Sequence, residues 1–233
     1  MTEIASAPQS QTPRGCLSRV YRVGFVLSLG ILALALVGSV AAGFGYRKYV
    51  VQEPGHHIST EFIQSVIAQD SPVYYRDRTT RVGVFFGDEH RHSVEYTEIP
   101  HSFQVAIVAA EDGAYWSHPG VNLWGIARAM VANVQAGRLV AGGSTITQQT
   151  AKNLYYRPDR SLKSKWTEFI NALRLEQHHS KEDILTFYAN QFHVHGNGRG
   201  IGIAARYFFD RDLTAHDVEW GLLESAYVAG LVK

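Results

Sequence analysis

The chain has 233 residues, 45% of them hydrophobic and 18% charged, which is the balance of a folded protein and excludes disorder of the whole. A formal net charge of +1, with no long basic run interleaved with aromatic residues, argues against nucleic acid as a partner. The single cysteine, Cys16, excludes an internal disulfide.

Residues 1–13, rich in Ser, Thr, Gln and Pro, read as a disordered stretch within an amino-terminal tail of residues 1–22. From Val23 to Tyr46 there is no charge, and at about 1.5 Å per residue a helix of that length exceeds the roughly 30 Å hydrocarbon core of a bilayer. Residues 23–46 therefore read as a single transmembrane helix. Ser39-Val40-Ala41 resembles a signal-peptide cleavage site, but signal cores run only about 7–15 residues, which favours an anchor. Arg14, Arg19 and Arg22 before the span against Arg47 and Lys48 after it give a thin positive-inside bias.

Residues 47–70 read as a membrane-proximal linker and helix, with Phe62, Ile63, Val66 and Ile67 on one face. "SPVYYRDRTTRVGVFF", from Ser71, is rich in β-branched and aromatic residues and predicts a hairpin or small sheet. Beyond Pro100 the pattern turns helical: Phe103, Ile107 and Ala110, then Leu123, Ile126, Ala127, Met130 and Val134, recur at helical spacing. With no internal repeat, residues 71–233 form one mainly α domain with a small β element.

Three stretches carry candidate chemistry. In "EDGAYWSHPG", Glu111 closes an apolar helical run and meets Gly113, so its carboxylate is expected at a helix break; a surface charge is the competing reading. In "GGSTITQQTAKN", Thr145 and Gln148 have capping-box spacing, which predicts a helix start whose free N–H groups can hold an anion. Lys152, Arg157, Arg160, Lys163 and Lys165 follow as a cationic cluster suited to phosphate. The third stretch, Lys163–Leu185, predicts a helix burying Trp166, Phe169, Ile170 and Leu173, with Glu168 off that stripe. Glu168 is either a second functional carboxylate or the partner of Lys165 in a surface pair. Two acids and a cationic patch suit glycosyl transfer from a phosphate-bearing donor. The histidine pairs lack H-E-x-x-H spacing and no cysteines support them, so no protein-ligated metal is expected.

Together these stretches resemble the peptidoglycan glycosyltransferases: the monofunctional transglycosylases and the glycosyltransferase domain of class A penicillin-binding proteins. Glu111, Asp112, His118 and Gly120 match E-D-x-x-F-x-x-H-x-G, with Tyr115 at the phenylalanine; "GGSTITQQ" matches the second motif throughout; Lys165 and Glu168 match the third. Tyr188, Asn190, Gly200 and Ala204–Phe209 match the fourth. Ser164 stands where arginine is usual and His195 where glycine is usual.

The resemblance implies a lysozyme-like helical fold acting on lipid II and the growing glycan strand at the outer face of the bacterial inner membrane, with the amino terminus cytoplasmic. It implies that Glu111 is the general base, that Glu168 assists at the donor site, and that Lys152 and Arg160, with Lys163 and Lys165, stabilise the leaving pyrophosphate. Asp112, His118 and Gly120 would support the cleft. Ser144, Gln148, Gln149 and Asn190 are either substrate-positioning groups or caps and buried hydrogen bonds. Mg²⁺ or Mn²⁺ carried mainly by the pyrophosphate is the one cofactor implied, and other cell-wall synthesis proteins are implied partners. The family continues past "AGLVK", so the domain is expected to be incomplete at its carboxyl end. A glycan hydrolase, or a truncated lipid II-binding or scaffold protein, is the rival reading.

Overall fold

The computed structural model of the chain describes residues 14–52, 55–67, 71–76, 81–85, 90–155, 159, 161–196, 198–213 and 220–232. The tail expected at 1–13 and two of the cluster's arginines, Arg157 and Arg160, lie outside the described residues. Two compact units are present, Met1–Lys48 and Tyr49–Lys233.

The first unit is one helix, α1 (Arg14–Tyr46). Its leucines, among them Leu27, Leu32, Leu34 and Leu36, are exposed, an arrangement that suits apolar surroundings. Among the described residues the helix running on from Val23 is the one long and apolar enough to cross a membrane.

The first α-helix of the second unit is α2 (Thr60–Ile67), which buries Ile63 and Ile67 as its periodicity requires. The hairpin follows as β1 (Ser71–Tyr74) and β2 (Arg81–Phe85), paired antiparallel with Ser71 opposite Phe85. A second small sheet joins β3 (His90–Arg91), parallel to β5 (Gly198–Arg199), which pairs antiparallel with β4 (His193–His195). All other regular structure here is helical: α3 (His101–Glu111), α4 (Leu123–Ala136), α5 (Ile146–Leu154), α6 (Leu162–His178), α7 (Lys181–Ala189), α8 (Ile201–Phe209) and α9 (Leu222–Leu231). This is the mainly α, lysozyme-like class with a small β element.

Capping explains where the site-bearing helices start. The Asn122 side chain accepts from Gly125 N to open α4, Ser161 from Ser164 N to open α6, and Thr145 and Gln148 exchange bonds across the first turn of α5. The core joins α3 to α9 and α5 to both α6 and α7. Phe103 and Ile107, Ile146, Leu175, Ile184 and Leu185, and Val228 meet there fully buried.

Helix α6 corrects the sequence reading. It buries Glu168, Asn171, Ala172 and Leu175, while Trp166 is 64% exposed and Phe169, Ile170 and Leu173 are only partly covered. Residues 168, 171, 172 and 175 share one face at i, i+3, i+4, i+7 spacing. That face is held because its polar members have partners: Lys165 reaches Glu168, and Asn171 Oδ1 accepts from Arg174 and lies 3.4 Å from His57 Nε2. The apolar stripe of α4 is likewise outward, with Leu123, Met130 and Val134 between 62% and 76% exposed and Ala129 alone buried.

Candidate active site

Helix α3 stops at Glu111 because Asp112 leaves helical geometry and turns inward. The Asp112 carboxylate, 7% exposed, accepts from Ile146 N at 3.1 Å and lies 2.8 Å from His118 Nε2. The Gly120 amide donates to His118 Nδ1, so Nε2 carries the ring proton and donates to Asp112. Thr145 Oγ1 then donates to Gly120 O at 2.6 Å. At Gly120, φ is +87° and an added Cβ would stand 2.7 Å from Glu176 Cγ and 2.9 Å from Ala172 O, so only glycine fits. Asp112, His118 and Gly120 thus form a clasp that fixes the loop after Glu111 to the first turn of α5. The open anion site expected at that helix start is filled by the Asp112 carboxylate, which already meets the positive end of the helix.

A second brace lies behind the clasp. Buried Tyr115 donates to Lys181 O, the Lys181 ammonium lies 4.5 Å over the Tyr115 ring, and Glu176 takes both Lys181 Nζ and Thr147 Oγ1 at 2.6 Å. Burial, reinforced by Glu176, keeps the Tyr115 phenol protonated by pushing its pKa well up.

Glu111 itself is half-buried. Its Oε2 accepts from Gln149 Nε2 at 2.8 Å, while Oε1 is buried with no hydrogen-bond partner. The side chain borders a cleft of about 1160 Å³ that is also lined by Asp112, Trp124, Arg128, Gln135 and Ser144. A second cleft of about 930 Å³, walled by Met130, Leu139, Leu162 and Trp166, carries Lys165 and Ser144 at its polar edge. Helix α4 is the ridge between them: residues 124, 128, 131 and 135 line the first, and 126, 130, 133 and 134 the second. Gly143 closes the wall by close approach, since a Cβ there would meet Ile126 Cα at 2.9 Å.

Glu168 occupies a different setting. It is 5% exposed, is contacted by Lys165 Nζ, and borders a pocket of about 230 Å³ with Lys152, Lys163 and Ser164. Lys165 Nζ also donates to Ser144 Oγ at 3.3 Å, linking Glu168 to the wall shared by both clefts. Ser164 donates to Asp159 Oδ1 at 2.6 Å, so the residue that replaces arginine serves the helix start, and Lys163 is the cation beside it. His195, where glycine is usual, sits in β4 and stacks on Tyr207 at 4.9 Å.

The polar set divides by burial and partner. Gln149 reaches Glu111 and Ser144 lies at the cleft wall, while Gln148, 2% exposed, completes the α5 cap and borders the second cleft. Asn190 is 3% exposed and braces backbone, accepting from Val94 N and donating to Val94 O. Arg128 and Trp124 were missed by motif reasoning; their four-residue spacing on α4 is the signal that puts them on one cleft-facing side. Among the described residues, no three His, Cys, Asp or Glu side chains converge as a metal set.

The transglycosylase family matches residues 78–233, a span that contains Glu111, Glu168 and the capped start of α5. The chain belongs to the transglycosylase family. Among curated relatives this transglycosylase is 33% identical over 210 residues to penicillin-binding protein 1A of Neisseria cinerea, covering 90% of this chain and 25% of that protein. It is 32% identical over 222 residues to the protein of the same name from Neisseria meningitidis serogroup B, covering 94% and 25%. With penicillin-binding protein 1A of Aquifex aeolicus the identity is 38% over 165 residues, covering 71% and 22%. The transglycosylase chain therefore spans about a quarter of the length of these relatives.

Proposed function

We propose that this transglycosylase polymerises lipid II into glycan strands by inverting glycosyl transfer. The observation that carries the reading is Glu111, a carboxylate bordering an open cleft and held through one oxygen by Gln149, with its other oxygen buried and unpartnered. A base with that geometry can take the proton of an acceptor hydroxyl as it enters. The 4-hydroxyl oxygen of the acceptor sugar then bonds to the anomeric carbon of the lipid-linked donor. The carbon–oxygen bond to pyrophosphate breaks, and undecaprenyl pyrophosphate departs with the bonding pair.

Lys152 and Lys163, beside Glu168, and Lys165, between Glu168 and Ser144, supply cations for the leaving group, joined by Arg160. Such groups lower the barrier to the extent that they meet charge as it grows on the leaving oxygen. Glu168 holds those cations in place. A divalent ion, Mg²⁺ or Mn²⁺, arrives with the pyrophosphate as part of the substrate. We further assign α1 as a single-pass inner-membrane anchor with a cytoplasmic amino terminus, the catalytic unit extracytoplasmic, and other cell-wall synthesis proteins as partners.

The test is polymerisation of labelled lipid II by the purified chain in detergent, with Glu111→Gln alongside and products sized on a gel. Polymer from the parent and none from the folded variant supports the reading. Shortening of preformed strands would instead identify a hydrolase, and saturable lipid II binding without polymer a binding protein.

A further inference from the structure

A buried tyrosine hydroxyl ordinarily has a hydrogen-bond partner. Tyr188 does not: the residue is 1% exposed, on α7, and its hydroxyl is buried without an acceptor. Glu111 presents the complementary anomaly, a buried carboxylate oxygen without a donor. The two residues come from helices built around the same neighbour, since α7 packs on α5 and α5 carries Gln149, the residue that holds the other Glu111 oxygen. They also lie within each other's field. Burial pushes the Tyr188 phenol well above its ordinary pKa and the Glu111 charge adds to that shift, so Tyr188 remains an O–H donor.

We propose that the Tyr188 hydroxyl donates to Glu111 Oε1 through one buried water, and so acts as a positioning residue for the base. Glu111 is then held at both oxygens, by Gln149 and by Tyr188. Each carboxylate oxygen has two acceptor sites, which leaves one free for the incoming hydroxyl proton. The inference rests on the reading of Glu111 as the base. The charged groups around Glu111 are Asp112 in the clasp and Arg128 across the cleft, with the His118 ring bonded to Asp112.

Donors to a carboxylate favour its charged form, so removing one raises the pH at which it titrates. The experiment uses the full chain in detergent with ¹³C at glutamate Cδ, the Glu111 signal assigned by its loss in Glu111→Gln. In Tyr188→Phe the titration midpoint of that signal moves up by about 0.5–1 pH unit, as it also does in Gln149→Ala. Polymerisation, measured as kcat/KM, falls about three- to tenfold below the acid limb and recovers above it. An unmoved midpoint in Tyr188→Phe, with Gln149→Ala shifted, overturns the proposal, as does a rate loss uniform across pH. If Tyr188→Phe fails to fold, 3,5-difluorotyrosine placed at position 188 gives a stronger donor, and the midpoint must then move down. The carboxyl titration needs no turnover, so an inactive parent chain would refute the polymerase reading, and with it the base that Tyr188 positions, while an unmoved midpoint in an active chain refutes the Tyr188 contact alone.

Discussion

Glu111 ends a helix at the wall of an open cleft, takes a neutral amide on one oxygen and leaves the other without a partner, whereas Glu168 lies mid-helix, almost fully buried, with an ammonium against it. The frames differ as well. Glu111 is aimed by a clasp of buried hydrogen bonds between Asp112, His118, Gly120 and Thr145, while Glu168 is anchored by helix packing and surrounded by half-exposed or exposed lysines. A carboxylate that must accept a proton needs an unfilled acceptor site and a stiff support. A carboxylate that must hold cations needs burial on one side and mobile positive charge on the other.

The largest expected difference is in turnover. Glu111→Gln lowers the polymerisation rate by about 10³-fold or more, while Glu168→Gln, which keeps a hydrogen-bonding side chain beside Lys165, lowers it by about 10–100-fold. Equal losses at the two positions would erase the distinction between base and anchor. Next is the stiffness of the clasp. Gly120→Ala combines positive φ with a contact to backbone at 2.9 Å and is expected to cost about 3 kcal/mol, read from the urea midpoint at constant m. Asp112→Ala removes the acceptor of Ile146 N and His118 Nε2 and should cost about 2–3 kcal/mol, and Lys165→Ala, which leaves the buried Glu168 carboxylate without its ammonium, should also lower the urea midpoint. Lys165→Ala should in addition act on the reaction, reducing kcat/KM about tenfold and weakening the salt dependence of the rate. The smallest effect tests the face of α6: Trp166→Ser, at a 64% exposed site, is expected to change stability by about 0.5 kcal/mol or less. A loss of several kcal/mol there would restore the burial pattern first expected from the sequence.

What the sequence shows and hides follows the range of the interactions. The α5 cap, the end of α3 at Glu111 and the hairpin were legible because each is decided within a few residues: Thr145 and Gln148 are three apart, and Gly113 follows the break at once. The buried face of α6 was not legible, because hydrophobic periodicity assigns burial by side-chain type, whereas here Glu168 and Asn171 are buried with partners and Trp166 is left outside. The filled helix start was hidden too, since Asp112 reaches Ile146 across 34 positions of sequence. For Asn190 and Gln148 the motif marked the positions, and the fold shows the backbone brace and the helix cap that they form.

The carboxylate of Asp112 at the start of α5 bears on how a reaction of the proposed kind would finish. A helix end that gripped a phosphate would be a fixed charge, unable to loosen once the product had formed. With that end permanently satisfied from within, the anion is left to lysine side chains on flexible stems, which can swing aside into water. Under the proposed function, turnover would end with cations withdrawing rather than with the protein frame yielding, and the clasp beside Glu111 would remain closed from one addition to the next.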